Sequence, residues 1–377
     1  MTDSPEHEAT DARRRRRNAV ARALAELRRG LPVLVCADDA PATVVLAAET
    51  ATADTLARVL GWNRQQTRIA ITARRARALS VRPSGHDVVL IPWRSWFDAE
   101  TVRGIGDAGT DLAQPLRGPF DREKRAPTQA EGAAVQLAKL ARLLPVAVVA
   151  PIETPAPAAW AETNDVLCVE VAAVAAYEDD SAAALTPVTR ARIALAEADE
   201  AQLVAFRPGD GSVEHLALII GRPSPRQPVL TRLHSECFTG DLLGSLKCDC
   251  GEQLRGAVAR MREDGAGVLL YLAQEGRGIG LMNKLRAYRL QEDGFDTIDA
   301  NLRLGFDADE RLFQPAAEML RQLGYTRVRL LSNNPDKVAG LQSAGIEVVE
   351  RVPHNFPANA HNELYLQTKR QRGGHLV

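Results

Sequence analysis

Two rhythms of apolar residues run through the first half of the chain. Short unbroken apolar runs at Pro32–Cys36, Val44–Ala47, Arg68–Thr72, Asp87–Ile91 and Val146–Ala150 predict strands. Between them, Asn18–Arg29, Asp54–Leu60 and Gln129–Leu143 place apolar residues at helical spacing. Strands alternating with helices predict a mixed or layered α/β (α+β) domain. The stretch Gly104–Thr128, with its glycine, proline and charge, predicts a loop.

The pattern changes after a punctuation zone at Glu178–Pro187, preceded by the proline-rich Pro151–Pro157. Strands are then predicted at Gln202–Phe206, His215–Ile220, Pro228–His234, Gly267–Leu272, Arg327–Leu331 and Glu347–Arg351. Helices are predicted at Gln253–Arg262, Gly280–Glu292, Phe313–Leu323 and Pro335–Ala344. The expected domains are therefore 1–186 and 187–377, with a polar, frayed tail after Thr368. A length of 377 residues agrees with two domains or three at ~100–200 residues each.

Charge and composition narrow the classes. The formal net charge is −1 and 45% of residues are hydrophobic, which excludes a globally basic nucleic-acid binder and an acidic disordered protein. The longest apolar stretches, Leu143–Ile152 and Val166–Tyr177, fall short of the ~20 residues a bilayer span needs. The polar N-terminus lacks a secretory pattern, so a soluble, cytoplasmic protein is expected, with no membrane and no nucleic-acid partner. Arg13–Arg17 reads as a solvated leader to the first helix, since no aromatics are interleaved with it.

Five cysteines in a chain this long do not form a disulfide scaffold. Cys36 and Cys168 each stand alone in an apolar run and read as buried thiols. Cys237, Cys248 and Cys250 are different. Their C-x10-C-x-C spacing fits a soft divalent ion, zinc first. Three thiolates with a fourth position kept for water would be a catalytic site. His234 as a fourth ligand would make it a structural one.

The surrounding residues favour an anionic ligand. In Gln274–Gly280, the glycines at 276, 278 and 280 let backbone amides approach an anion beside Arg277. Asp309 and Arg311 sit two apart in a polar turn, and Pro335 sets Lys337 near a helix N-terminus. Taken singly, each of these reads first as a loop or capping sequence with surface charge.

Together, the segments Arg232–Leu254, Tyr271–Arg311 and Leu330–Pro353 resemble GTP cyclohydrolase II, the zinc enzyme that opens GTP at the first step of riboflavin synthesis. The resemblance implies that Cys237, Cys248 and Cys250 hold zinc, whose water attacks C8 of guanine. It implies that Arg232, Leu233, His234, Ser235, Glu236, Gln253, Glu275, Gly276, Arg277, Thr297, Ser332 and Lys337 bind GTP. Asp309 corresponds to the proton acceptor, Arg311 to a nucleophile at the α-phosphorus and Tyr288 to an assisting tyrosine. Magnesium on the triphosphate and a homodimer are implied too. So are formate, pyrophosphate and 2,5-diamino-6-(5-phosphoribosylamino)pyrimidin-4-one as products. Ser332 stands where the family usually has threonine. The alternatives are a paralogue that releases a formylated or different product, and a zinc-stabilised nucleotide-binding regulator without turnover.

The first half more faintly resembles 3,4-dihydroxy-2-butanone 4-phosphate synthase, a magnesium enzyme with an acidic loop and a His-Thr-Glu motif. Here the loop is reduced to Ala37–Thr43, with only Asp38 and Asp39, and Ala130–Gly132 stands at the motif. Magnesium needs hard oxygen ligands in octahedral geometry, so a fold without synthase activity is expected.

Overall fold

The computed structural model describes residues 5–372 except 39, 84, 116, 359, 361, 364–366 and 368–370. Asp39 and nearly all of the tail after Thr368 therefore lie outside the described residues. The chain divides into two units. The first comprises Met1–Asp180, Met282–Phe295 and Asp299–Ala308; the second comprises Ser181–Leu281, Asp296–Ile298 and Asp309–Val377. Both are mixed α/β.

The first unit is built on a six-stranded sheet of β1 (Val33–Ala37), β2 (Ala40–Ala47), β3 (Arg68–Thr72), β4 (Val88–Pro92), β5 (Val146–Ile152) and β6 (Leu167–Glu170). Their spatial order is β4-β3-β5-β2-β1-β6, antiparallel except for the β1–β6 pair. Side chains alternate between faces along a strand, and both faces here are buried. Leu34, Val44, Leu46, Ile69, Ile71 and Val148 pack on one face; Val33, Val35, Val45, Ala70 and Val149 pack on the other. Burial on both faces makes these strands read as unbroken apolar runs rather than alternating ones.

The helix Gln129–Leu140 starts at a capping box in which Thr128 and Glu131 satisfy each other's backbone amides. Arg75 is fully buried; its guanidinium donates to the Ile105 carbonyl at 2.7 Å and to both Asp111 carboxylate oxygens at 2.6 and 2.7 Å.

Several sequence expectations are corrected in this unit. Arg13, Arg14 and Arg15 are solvated as expected, but the run is no leader: it lies inside the helix Pro5–Arg28, where Arg16 pairs with Asp180 at 3.0 Å and Arg17 is buried. The expected loop Gly104–Thr128 begins inside the helix Ala99–Gly106 and includes a short 3-10 turn at Ala108–Thr110. The punctuation zone is largely structured, as the helix Val171–Ala183 runs through it. Cys36 and Cys168 do not stand alone; both are half-buried and their sulfurs lie 2.6 Å apart.

The second unit carries a seven-stranded sheet of β7 (Thr186–Leu195), β8 (Ala198–Arg207), β9 (His215–Gly221), β10 (Val229–Ser235), β11 (Ala266–Leu272), β12 (Arg327–Leu331) and β13 (Glu347–Val352). Its order is β13-β12-β10-β11-β9-β8-β7. The four strands β13, β12, β10 and β11 are parallel, and β9, β8 and β7 continue the sheet antiparallel. One core lies against the helices Gln314–Gln322 and Pro335–Ser343, through Ala316, Leu320 and Leu341. The opposite face packs on the helix Cys250–Glu263, through Ala257, Val258 and Met261. Among the described residues no helix is long and apolar enough to cross a membrane.

Candidate functional site

β10 lies between β11 and β12 and runs parallel to both. The chain passes from β10 to a neighbour on one side and later returns to the other, the arrangement that leaves a crevice beyond the carboxyl ends of parallel strands. The segments leaving these three ends are Ser235–Cys237, Ala273–Gly280 and Ser332–Lys337. The main-chain pairing is extended past β10 by the Glu236 amide, which donates to the Leu272 carbonyl at 2.9 Å.

Cys237 opens a single π-turn, Phe238–Leu242, while Cys248 and Cys250 lead into the helix Cys250–Glu263. All three sulfurs lie within 4.8 Å of one another, and those of Cys237 and Cys248 are 3.8 Å apart. Thiolates at ~2.3 Å from a tetrahedral zinc stand ~3.8 Å from each other, so the spacing fits the ion. Gly240 completes the cradle. A Cβ there would come within 2.8 Å of the Cys248 sulfur and 3.1 Å of the Cys237 sulfur. Gly251 is equally constrained, because a Cβ would meet the Gly240 carbonyl at 2.4 Å. A hydrogen bond with Cys237 pushes the Cys248 thiol up to about 11, so the thiolate form that a metal needs requires a cation to stabilise it.

His234 is not part of the thiolate group. It is buried, its Nε2 lies 3.0 Å from Asp241, and burial holds its pKa below the usual histidine value despite that carboxylate. Asp241 also accepts from the Cys237 amide at 3.0 Å and from the Tyr271 hydroxyl at 3.0 Å. Burial, followed by the Asp241 charge, pushes the Tyr271 hydroxyl up, which keeps it a donor. Sequence reasoning did not single out Gly240, Asp241 or Tyr271. A Gly-Asp pair between two ligand cysteines was the available signal; Tyr271 is indistinguishable from any strand residue.

The glycine-rich turn holds consecutive left-handed residues, Gly276 (φ 65°), Arg277 (φ 63°) and Gly278 (φ 96°). At 278 glycine is required by contact as well, since a Cβ would meet the Glu310 carbonyl at 2.6 Å. The Glu310 amide donates to the Arg277 carbonyl at 3.0 Å, which brings the Asp309–Arg311 turn against the glycine-rich one. Glu275 is buried and bridges to the metal cradle: its carboxylate accepts from the Phe238 amide at 2.7 Å and from the Gly276 amide at 2.9 Å. Arg311 grips both oxygens of Asp309, with Nε at 2.8 and 3.1 Å. Burial alone would raise Asp309. The Arg311 hydrogen bonds and charge outweigh it and hold the carboxyl below the ordinary aspartate value.

Arg232 is buried on β10; it donates to the Leu331 carbonyl at 3.0 Å and to the Gln253 side-chain oxygen. Burial lowers it to about 10, so it stays charged near neutral pH. Gln253 in turn donates to Asp249, and its backbone carbonyl lies 2.9 Å from Nε2 of His354, a buried histidine that sequence reasoning missed. Lys337 is buried and donates to the carbonyl of buried Leu233 at 2.7 Å. The Ser332 hydroxyl accepts from the Asn334 amide at 3.0 Å, immediately before the helix that carries Lys337. Ser235 and Glu236 are half-buried at the β10 end. Thr297, a residue of the second unit, starts the helix Thr297–Arg303, whose residues from Asp299 onward are counted with the first. Tyr288 lies on the helix Leu281–Glu292, which belongs to the first unit, with the Lys284 ammonium 5.6 Å from its ring centre.

A cradle of three cysteines, two buried and one half-buried, beside a glycine-rich turn and an Asp–Arg pair marks an α/β enzyme with a group that could hold a metal ion. Comparison with known proteins is more particular. The family described as GTP cyclohydrolase II matches residues 187–353. GTP cyclohydrolase-2 of Azospirillum brasilense is 49% identical over 360 residues, which cover 95% of this chain and 94% of that protein. Riboflavin biosynthesis protein RibBA of Parabacteroides distasonis is 52% identical over 176 residues, 47% of this chain and 44% of that protein. A solved structure described as RibBX, a two domain 3,4-dihydroxy-2-butanone 4-phosphate synthase from A. baumannii, aligns with 88% of this chain and 99% of its own at 19% identity, with a TM-score of 0.35. The chain belongs to the GTP cyclohydrolase II family, enzymes of riboflavin biosynthesis.

Proposed function

We propose that this chain hydrolyses GTP with zinc held by Cys237, Cys248 and Cys250, releasing formate and pyrophosphate and leaving 2,5-diamino-6-(5-phosphoribosylamino)pyrimidin-4-one. The supporting observation is the cradle itself. Among the described residues the group contains three thiolates and no fourth His, Cys, Asp or Glu, the ligand count of a catalytic zinc rather than a closed structural one. When bound, such an ion polarises the attacked centre and activates water for attack at C8 of guanine.

The chain's own residues supply the rest. Asp309 is held ionised by Arg311 and can accept a proton at its carboxylate. An arginine is normally too basic to attack phosphorus, so in this reading Arg311 neutralises charge at the α-phosphate in place of the nucleophilic role the resemblance implies. Arg277, Lys337 and a magnesium ion on the triphosphate offset charge on the departing pyrophosphate. The Gly276, Gly278 and Gly280 amides, expected to meet an anion, are instead held within the turn by the Glu275 carboxylate and by the Gln274 and Glu275 carbonyls, so in this reading the turn serves the phosphates through the Arg277 side chain. Arg232, Leu233, His234, Ser235, Glu236, Gln253, Glu275, Thr297 and Ser332 complete the proposed GTP site, with Tyr288 assisting at the ring. The catalytic half in this reading is 187–377, in a cytoplasmic homodimer.

The first half, 1–186, keeps a synthase-like outline without synthase activity. Glu131 is committed to Arg125 at 2.8 Å and to the Thr128 amide at 2.8 Å, and Asp38 is exposed in the turn between β1 and β2. Neither is organised for magnesium.

Zinc-loaded protein incubated with GTP should release formate and pyrophosphate in equal amounts. Pyrophosphate without formate would establish the formylated-product paralogue. GTP binding without either product would establish the regulator and reject the proposal. Purified protein given ribulose 5-phosphate should yield no dihydroxybutanone phosphate.

A further inference from the structure

The first unit holds a second sulfur pair, remote in sequence from the metal cysteines. β1 and β6 are parallel neighbours, and their register sets Cys168 opposite Leu34 and Cys36 opposite Glu170. Side chains two apart on a strand share a face, so Cys36, Leu34 and Cys168 all project to the same side of the sheet. The two cysteines pack at the edge of the same apolar cluster as Leu34 and are diagonal neighbours whose sulfurs approach to 2.6 Å. Both remain half-buried rather than sealed, and β6 is an edge strand bound in the sheet only by β1.

We propose that Cys36 and Cys168 form a site of reversible oxidative modification, a thiol pair that low-molecular-weight disulfides convert into an intramolecular Cys36–Cys168 disulfide tying the edge strand β6 to β1. Either sulfur can be the donor, and Cys168, on the edge strand, opens the exchange as its thiolate. The Cys168 thiolate attacks one sulfur of the small disulfide, breaking its S–S bond and expelling one thiolate. Cys36 then loses its proton and attacks the Cys168 sulfur of the mixed disulfide, expelling the second. Two protein thiols and one small disulfide become one protein disulfide and two small thiols, and a dithiol reductant reverses the exchange. The bond closes a long loop, with 132 positions separating the two residues, and so restricts the unfolded chain strongly. Neither cysteine belongs to the metal cradle, and the proposal stands apart from the GTP reaction.

The test uses the full-length zinc-loaded protein, first reduced and then exposed to an excess of oxidised glutathione, with remaining thiols alkylated. Tryptic mapping should show peptide 30–58 joined to peptide 143–190, with the loss of two hydrogens, and the link should vanish on adding dithiothreitol. In Cys36→Ser, Cys168 should instead carry a stable glutathionyl adduct. The oxidised wild type should also melt several degrees above the reduced form. Alkylated thiols at both positions after oxidation of the wild type, or a glutathionyl adduct that persists there without resolving, would overturn the proposal. Both readouts are made on the wild type, so a variant that fails to fold does not leave the question open.

Discussion

The first turn of β-structure in the first unit and the loop after β10 in the second show what an anion and metal site demands of a chain. At β10 the polar side chains are buried and aimed, each held by a neighbour. Asp241 secures the Cys237 amide, His234 and Tyr271, while Glu275 secures the Phe238 and Gly276 amides. At β1 the chain turns after Ala37 into a tight hairpin, and Asp38 faces solvent. Two buried polar groups of that unit, Glu131 and Arg75, are occupied in capping and in gripping a main-chain carbonyl and Asp111. The same economy of hydrogen bonds therefore holds a fold together in one unit and a ligand cradle in the other. Most buried polar groups are partnered in either case, although Arg232 Nε, His234 Nδ1 and Gln274 Oε1 near the cradle are not; what differs is whether the partnered groups gather around the three cysteines.

The sharpest way to break this contrast is at the cradle. Cys248→Ser should abolish zinc content and reduce GTP turnover by about 1,000-fold or more, because catalysis by an activated water is lost with the ion. Metal analysis alongside a formate assay checks both. Retained zinc with lost activity would move the ligand role elsewhere.

Next in size is a structural effect in the first unit. Arg75→Ala removes a guanidinium that is fully buried and bidentate on Asp111. Asp111 would keep only the longer pairings with Arg303 at 3.6 Å and Arg117 at 3.9 Å, and the Ile105 carbonyl would lose its donor, a loss of about 1–3 kcal/mol. Denaturant titration should show it, with zinc per folded chain unchanged.

Gly240→Ala tests whether the cradle is shaped as tightly as it looks. The added methyl would press on two ligand sulfurs, and zinc affinity should fall by about 10–100-fold, the scale seen when a ligand's support is disturbed. Competition with a chromogenic chelator measures it. An unchanged affinity would mean that the π-turn relaxes freely.

These residues also mark how far the sequence was legible. β5 and β11 were evident because both of their faces are buried, and the three cysteines because a thiolate cluster has few other uses. β7 was invisible: nearly all of its side chains are exposed, so no apolar pattern records it. β6 is short and mixes two exposed residues and one half-buried residue with the single buried Val169. Tyr271 and His354 act through positions that only the fold brings near Asp241 and Gln253. The Cys36–Cys168 approach likewise depends on a parallel register joining residues from opposite ends of the first unit. Local spacing carries helices, buried strands and clustered ligands; pairings across a sheet leave no trace in it.

A smaller effect concerns His354. Burial, with help from the Arg232 charge, lowers it to about 4 from an ordinary 6.5. The folded form therefore keeps the ring neutral while the unfolded chain takes up a proton. Its contribution is complete above pH 6.5 and is lost as pH falls toward 4, a slope that rises with pH because the unfolded state binds more protons. Discounted for partial solvent access, the loss amounts to about 1–2 kcal/mol. His354→Gln should lack this component, so the wild type should lose that much more stability than the variant between pH 7 and 4.5. Parallel pH dependences would reject it.

The smallest expected effect lies at the hairpin. Asp38→Asn should leave zinc content, GTP turnover and the unfolding midpoint unchanged within error, since the side chain is exposed and surface substitutions of this kind stay within about 0.5 kcal/mol. A several-fold change in turnover would show that the hairpin of the first unit still takes part in chemistry. The contrast between an organised and a dismantled site would then fail, because an acidic group left without buried support would be acting on a ligand from solvent.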